Sequence, residues 1–513
     1  MTGEQNFLHK PRHYSEIELF QSITDKQWNS SLWQLKHSIR EVDELAKIIR
    51  LTDNQLKGIK DTIAGMRKQG KEPLRITPYY ASLMQENPFF PEMLEGERQE
   101  ERLDPIFWQS VPTPAHLLFP KAAVEEAMSE GSRSYGSVYQ RYPNRVAFFV
   151  GSNTNCAAYC THCQRAKSLD KDATVTTEDI KKGLFYISIN KNIDEVLITG
   201  GDALQISKKL LASILSELSK INHLRVIRIA TRVPVVMPMG ITDELLDIIK
   251  TNANKHTVGI PKYVYFMTHL NHYQEITEDF ARCIKKIQDW GFTIRNQTVM
   301  LKHVNAYYKT LAETFRRMFW VGLHPYYLLQ CHKERGIVHF ITPIQIGKIY
   351  MKHLQGWISG VVKPSYAVNV EGGGGKVMLM PSGHDTLNIG GDLEAKRGKP
   401  HARVRTWDGR IISDYEALGR CTQQEYDDAI SLMDKFIERK GVFLPSMIIV
   451  DNNNKPVSVT NVRFPELSLN EKKSALLDYE LQDNEMPWTN PWEISDFLDK
   501  EYIKQKEKIQ LNL

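Results

Sequence analysis

Val146-Ala147-Phe148-Phe149-Val150 is an apolar run of aromatic and β-branched residues, and five residues later it gives way to Cys156-Ala157-Ala158-Tyr159-Cys160-Thr161-His162-Cys163. The run predicts a strand. The three thiols, spaced x3 and x2, predict ligands, because thiolates are soft donors suited to iron-sulfur clusters and zinc. Three thiolates leave a four-iron cluster one ligand short, so something else must complete it.

Zinc is the first competitor. Structural zinc takes four protein ligands, usually in C-x2-C pairs. His162 lies between two of the cysteines, where simultaneous binding is awkward, and Cys283, Cys331 and Cys421 are isolated in sequence. A redox pair of Cys160 and Cys163 would leave Cys156 unexplained.

Downstream, short apolar runs alternate with helical stretches. Strands are predicted at Val146–Val150, Glu195–Thr199, Val226–Ala230, Val264–Thr268, Thr293–Met300 and Tyr326–Gln330. Helices are predicted to open at Thr177-Glu178-Asp179, Thr242-Asp243-Glu244, Thr277-Glu278-Asp279 and Thr342-Pro343, each a hydroxyl cap followed by acids or proline. Strands alternating with helices in this way indicate parallel βαβ units. Six of them make an α/β partial barrel, short of the closed eightfold form, with the active site at the carboxyl ends of the strands. Upstream, residues 1–140 read as largely helical: apolar residues from Trp33 to Ile49 recur at helical spacing, and Thr52 caps a second helix carrying Leu56, Ile59, Ile63 and Met66. Residues 87–120 are richer in proline and acids and read as a connecting segment.

The 513 residues suffice for more than one domain. A formal charge of +5, from 66 basic and 61 acidic residues, is too small an excess to imply nucleic acid or an anionic membrane as partner. No apolar run reaches the ~20 residues of a membrane helix. Met1 to Phe7 lacks signal-peptide features, so a cytoplasmic location and reduced thiols are expected.

Glu371-Gly372-Gly373-Gly374-Gly375-Lys376 lies between two strand-like runs. A phosphate-binding P-loop would need Gly at position 370 and Ser or Thr at 377, and both are Val. A buried Lys in such a loop can instead stay neutral and form a Schiff base, the alternative being a solvated lysine in a hairpin turn.

The cysteine spacing resembles the radical S-adenosylmethionine superfamily, and Gly200-Gly201-Asp202 after Val196-Leu197-Ile198-Thr199 supports that resemblance. Taken together, Arg141-Tyr142-Pro143-Asn144-Arg145-Val146, the cysteine triplet, Leu197 to Asp202, Thr231-Arg232-Val233-Pro234, His269-Leu270-Asn271-His272, Asn296-Gln297, Pro325-Tyr326-Tyr327 and the glycine loop ending at Lys376 resemble the lysine 2,3-aminomutase family from about Trp28 to about residue 415. The resemblance implies a radical-SAM barrel over 141–360, a helical region before it and a coenzyme-lysine strand-loop segment over 361–415; beyond it the polar, charged residues 416–513 read as a C-terminal helical extension that packs on another subunit in an oligomer. The resemblance also implies a [4Fe-4S] cluster on Cys156, Cys160 and Cys163, S-adenosylmethionine against His162, Gly200, Gly201, Asp202, His269 and Gln297, and pyridoxal 5′-phosphate held by Arg141, Tyr142 and Arg145 and carried on Lys376. Arg165 would pair with the substrate α-carboxylate. A small amino acid as substrate, a flavodoxin- or ferredoxin-like electron donor and a homo-oligomer are implied as partners.

Three departures stand out. Two extra residues separate Arg145 from Cys156. Tyr307 or a neighbour replaces the cysteine that begins the family's zinc site, and no C-terminal cysteine cluster follows, so no zinc is expected. Where lysine-acting members place two aspartates for the distal ammonium, this chain has His332, beside Lys333, and Asn369. A buried ammonium without a carboxylate is strongly disfavoured, whereas a cation beside an amide suits a distal carboxylate. L-Glutamate, converted to β-glutamate by moving its amino group from C2 to C3, is therefore the expected substrate, with Lys333 favoured over His332 as the cation. The alternatives are lysine or another amino acid as substrate, and, more remotely, a non-catalytic iron-sulfur accessory protein.

Overall fold

In the computed structural model the described residues are 7–70, 72–91, 103–123, 133–152, 154–163, 174–379, 388–389, 402–405, 411–415 and 418–460. Ten strands form one sheet in sequence order. They are β1 Ser134–Tyr135, β2 Val138–Tyr142, β3 Arg145–Phe149, β4 Glu195–Thr199, β5 Val226–Ala230, β6 Tyr263–Thr268, β7 Thr293–Met300, β8 His324–Gln330, β9 Ser365–Val370 and β10 Gly375–Met378. From β3 to β9 every neighbouring pair is parallel, and antiparallel pairs finish both edges.

Each parallel crossover steps in the same direction across the sheet. Right-handed connections then put their helices on a single face. Side chains pointing to that face are apolar and sealed: Val146, Phe148, Val196, Ile198, Ile227, Ile229, Phe266 and Ile294 are all buried. Their alternates, such as Ala147, Leu197, Tyr265 and Gln297, line a cavity on the opposite face. Because residues from β2 through β10 all reach that cavity, the sheet curves around it.

The helices begin where side chains can satisfy their first N–H groups. Thr242 caps Asp243–Ala253, Thr277 caps Glu278–Asp289, and Thr52 caps Asp53–Lys68 in a capping box. The helix expected from Thr177 is capped one residue earlier, by Thr176 with Asp179. Ile344–Trp357 has Pro343 at its start and no side-chain cap.

Other expectations change. The parallel run has a seventh strand, β9, so the glycine-loop segment is continuous with the sheet instead of following it. Residues 33–49 form two short helices, Ser31–Lys36 and Val42–Leu45, interrupted where Ile39 bridges Ile76. The segment expected to be a connector contains the helix Pro105–Ser110, capped by Asp104 and wholly buried, with Phe107 and Trp108 in the core. Before residue 140 the chain also forms β1 and the start of β2, because the first parallel strand needs a partner on its open side. After 415 the helix Gln423–Ile437 is accompanied by a three-stranded sheet of Gly419–Thr422, Met447–Val450 and Pro456–Val459. The segment 416–460 is therefore not helical alone, and residues 461–513 of the expected extension lie outside the described residues. Among the described residues no helix is long and apolar enough to cross a membrane.

The helix Ile344–Trp357 supports β9 through Gly347, where an added Cβ would collide with the Tyr366 hydroxyl. Tyr366 in turn donates to Gln330 Oε1 at 2.6 Å, tying β9 to β8. Gly347→Ala is expected to cost about 1–3 kcal/mol by overpacking, read as a lower denaturant midpoint; an unchanged midpoint would show that the helix gives way freely.

Candidate active site

The cysteine loop lies at the carboxyl end of β3 and is fixed by backbone contacts on two sides. Toward the sheet, Asp202 N donates to Asn155 O at 2.9 Å. Gly200 and Gly201 have φ of +101° and +55°, and a Cβ on Gly201 would lie 2.7 Å from Asn155 O. These glycines thus let two loops meet, where the sequence pointed to a ligand's approach or a tight turn. Toward the amino-terminal region, Tyr159 N donates to Arg75 O at 2.8 Å and Thr161 N to Gln109 O at 2.9 Å.

Arg232, at the end of β5, joins these pieces. Its backbone N–H donates to Asp202 Oδ2 at 2.7 Å. Its guanidinium donates to Cys160 Sγ at 2.8 Å, to Tyr80 Oη at 2.7 Å and to Glu275 Oε1 at 2.8 Å. Arg232 and Glu275 are both buried, and Glu275 Oε2 accepts from the N–H groups of Asn271 and His272. A desolvated fork and carboxylate with these hydrogen bonds avoid the penalty of an isolated buried charge.

His162 and His269 meet Nε2 to Nε2 at 2.8 Å. His269 Nδ1 faces the carbonyl of Gln297 at 2.8 Å, which can only accept, so Nδ1 carries the proton. His269 Nε2 is then the acceptor and His162 Nε2 the donor. Burial, with Arg232 nearby, drops His269 to about 4 and holds His162 well below the usual imidazole range, so both rings are neutral.

Burial pushes Cys156 well up, and nearby Asp202, Cys163 and Cys160 push it further. Cys160 is raised by burial and opposed by Arg232. Cys156 and Cys160 are poor thiolates on their own; a bound cationic centre reverses that balance, and with Cys163 in the same loop the donor set fits a metal cluster. The Asp202 carboxylate is largely occupied by the N–H groups of Leu204 and Arg232.

The cavity has a volume of about 850 Å³. Arg141, Tyr142, Arg145, Cys163, Gly200, Gly201, Gln297, Asn369 and Lys376 all line it. Lys376 pairs with Asn369 across the β9–β10 hairpin, and its N–H donates to Tyr142 Oη at 2.7 Å. Burial, then Arg141, Arg228 and Arg145, lowers the Lys376 ammonium to about 7, which leaves much of the amine neutral near neutrality. Arg145 stacks 4.0 Å from the Tyr142 ring centroid, and Arg141 donates to Tyr139 Oη at 2.8 Å and Asn369 Oδ1 at 3.3 Å. An electrophilic aldehyde bearing an anionic group fits this combination of neutral amine and guanidinium forks.

His332 points to Asn369, with Nε2 at 3.1 Å from Nδ2, and burial, Arg141 and Lys376 lower it to about 4. Lys333 points instead to Glu371, at 3.6 Å. The residue favoured as the cation therefore faces the glycine loop, and the one beside Asn369 is neutral. Arg165 lies outside the described residues. Two cavity arginines, Arg228 and Arg295, escaped sequence reasoning; a charged residue inside an otherwise apolar or alternating strand was their signal.

Arg232→Met is expected to destabilise the protein by about 3–5 kcal/mol, because it strands Glu275 in the core. Urea unfolding measures this, and a loss below about 1 kcal/mol would mean that Arg232 is not the joint described.

No family model matches the chain. An L-lysine 2,3-aminomutase of Methanococcus maripaludis is 35% identical over 444 residues, covering 85% of this chain and 93% of the relative. One of Bacillus subtilis is 35% identical over 384 residues, 74% of each chain. A glutamate 2,3-aminomutase of Clostridioides difficile is 32% identical over 392 residues, 76% of this chain and 83% of the relative.

Proposed function

The chain belongs to the lysine 2,3-aminomutase family and is an isomerase that migrates an amino group; from that premise we propose that it moves the amino group of L-glutamate from C2 to C3, using a [4Fe-4S] cluster, S-adenosylmethionine and pyridoxal 5′-phosphate in a partial radical-SAM barrel. The observation that carries the substrate is the charge of the cavity. Among the described residues lining it, Arg141, Arg145, Arg228, Arg295 and Lys376 are basic, and Glu195 is the single acid, paired with Arg228 at 2.5 Å. A substrate ammonium would enter without a free carboxylate to meet it, whereas a carboxylate would find donors.

In this reading Cys156, Cys160 and Cys163 hold the cluster, with Arg232 stabilising the Cys160 sulfur. When bound, the cofactors supply a carbon radical and an imine-forming aldehyde. The neutral Lys376 amine is the attachment point for that aldehyde, Arg141 and Arg145 take the coenzyme phosphate, and Tyr142 fixes the Lys376 backbone. Gly200, Gly201, Gln297 and the neutral His162–His269 pair shape the S-adenosylmethionine pocket, with Asp202 holding its loops. Arg165 is assigned to the α-carboxylate. Asn369 lines the cavity, and neutral His332 beside it imposes no ammonium preference. An external electron donor and a small-molecule substrate complete the set of partners.

Lysine is the second reading, favoured by the names of several relatives. The shortage of acids in the cavity argues against it.

Lys376→Ala is expected to abolish formation of β-glutamate while leaving the cluster absorption intact; turnover retained in the variant would refute the attachment point. The depressed Lys376 value also gives a pH signature. Only the neutral amine attacks an aldehyde, so coenzyme uptake by the apoprotein is expected to accelerate as pH rises through about 7 and then level off. A rise continuing toward pH ~10, the range of an ordinary lysine, would show that the amine is not perturbed.

A further inference from the structure

We propose that Arg295 is the specificity-determining cation of this cavity and binds the distal carboxylate of an acidic amino acid, an inference that rests on the aminomutase reading above. Each of the other basic groups already has an occupation. Arg228 is bound to Glu195 at 2.5 Å. Arg141 is turned toward Tyr139 and Asn369, and Arg145 lies over Tyr142, beside Lys376. His332 is neutral and Lys333 faces Glu371.

Arg295 differs. It projects into the cavity from β7, two residues before Gln297 on the same face, with Met267 and His324 as its strand neighbours. Its Nε is buried without a hydrogen-bond partner, and among the described residues no carboxylate forms an ion pair with it. The guanidinium carbon lies 5.6 Å from the Tyr326 ring centroid, and a cation over a ring face keeps its edge donors free for an anion. A buried donor left unmade is costly, and a carboxylate that reaches it gains a charge-assisted bond.

The position suits the far end of a substrate. The Tyr326 and Tyr327 rings lie 3.9 Å apart between centroids, tilted by 44°, and Lys376 Nζ lies 5.8 Å from the Tyr327 ring. Arg295 and Lys376 therefore sit against opposite members of one tyrosine pair. An amino acid whose amino group lies beside Lys376 can extend along that pair, and Arg295 is the cation waiting there. A short neutral side chain would leave the Nε donor unmet, and a lysine side chain would bring two cations together.

Arg295→Met keeps the apolar stem and removes the charge, and Arg295→Lys restores a charge without the fork. The test uses the reconstituted full-length holoenzyme and follows the change in coenzyme absorbance on titration with glutamate, with coenzyme content and S-adenosylmethionine affinity measured alongside. The expected result is a rise in the apparent Kd for glutamate of about tenfold to a hundredfold in Arg295→Met, partial recovery in Arg295→Lys, and unchanged coenzyme content and S-adenosylmethionine affinity. Unchanged glutamate affinity in Arg295→Met would overturn the inference while leaving the glutamate reading standing. Loss of coenzyme would assign Arg295 to the coenzyme phosphate, and weakened S-adenosylmethionine binding would assign it to that carboxylate; either overturns the proposal. No response of the wild-type holoenzyme to glutamate, with a response to lysine, would overturn the glutamate reading itself.

Discussion

A buried guanidinium is the constraint on which this architecture turns. Arg232 reaches the cysteine loop through Cys160, the Asp202 turn through its own backbone, the segment after β6 through Glu275, and the amino-terminal region through Tyr80. Those four pieces come from distant parts of the sequence. The ion pair is acceptable in the core because every carboxylate oxygen of Glu275 is hydrogen-bonded. It also contributes to the electrostatics next door: a cation here favours the Cys160 sulfur in its anionic form and adds to the burial that keeps His162 and His269 neutral.

The sheet supplies the second condition. A singly wound parallel run covers one face with helices and leaves the other to curve around a cavity, so polar side chains can converge on it from many strands. This explains how Lys376 can hold a neutral amine. Its neighbours are arginines brought from β2, β3 and β5, and their combined field and the low solvation of the site act in the same direction. The same field disfavours cationic ligands, which links coenzyme attachment to substrate selection in one physical cause.

Much of the fold was legible because its signals are local. The strands recur as short apolar runs, and Thr52, Thr242 and Thr277 cap the helices they precede. The cysteine triplet stood out by spacing, whereas the glycine-loop lysine was told from a solvated turn residue only by the family resemblance. What was not legible depends on distant partners. Pro105–Ser110 looked like a connector because prolines and acids surround it, yet Asp104 is spent on capping and Trp108 is wholly buried against residues more than 190 positions away. β9 was read with the glycine loop because its parallel partner lies beyond an intervening helix. The choice between His332 and Lys333 could not be made from charge, since Asn369 and Glu371, distant in sequence, decide where each side chain points. Arg228 and Arg295 share a pattern that sequence does display, a cation within a buried strand, but its meaning emerges only when the sheet closes around them.

The central claim, that this cavity isomerises an acidic amino acid, is tested most directly by product analysis. Anaerobic protein reconstituted with iron, sulfide, pyridoxal phosphate, S-adenosylmethionine and a reductant is offered glutamate and lysine together at equal concentration. The account predicts β-glutamate as the principal product. Accumulation of β-lysine in its place, or no amino-group migration on either substrate, would contradict it.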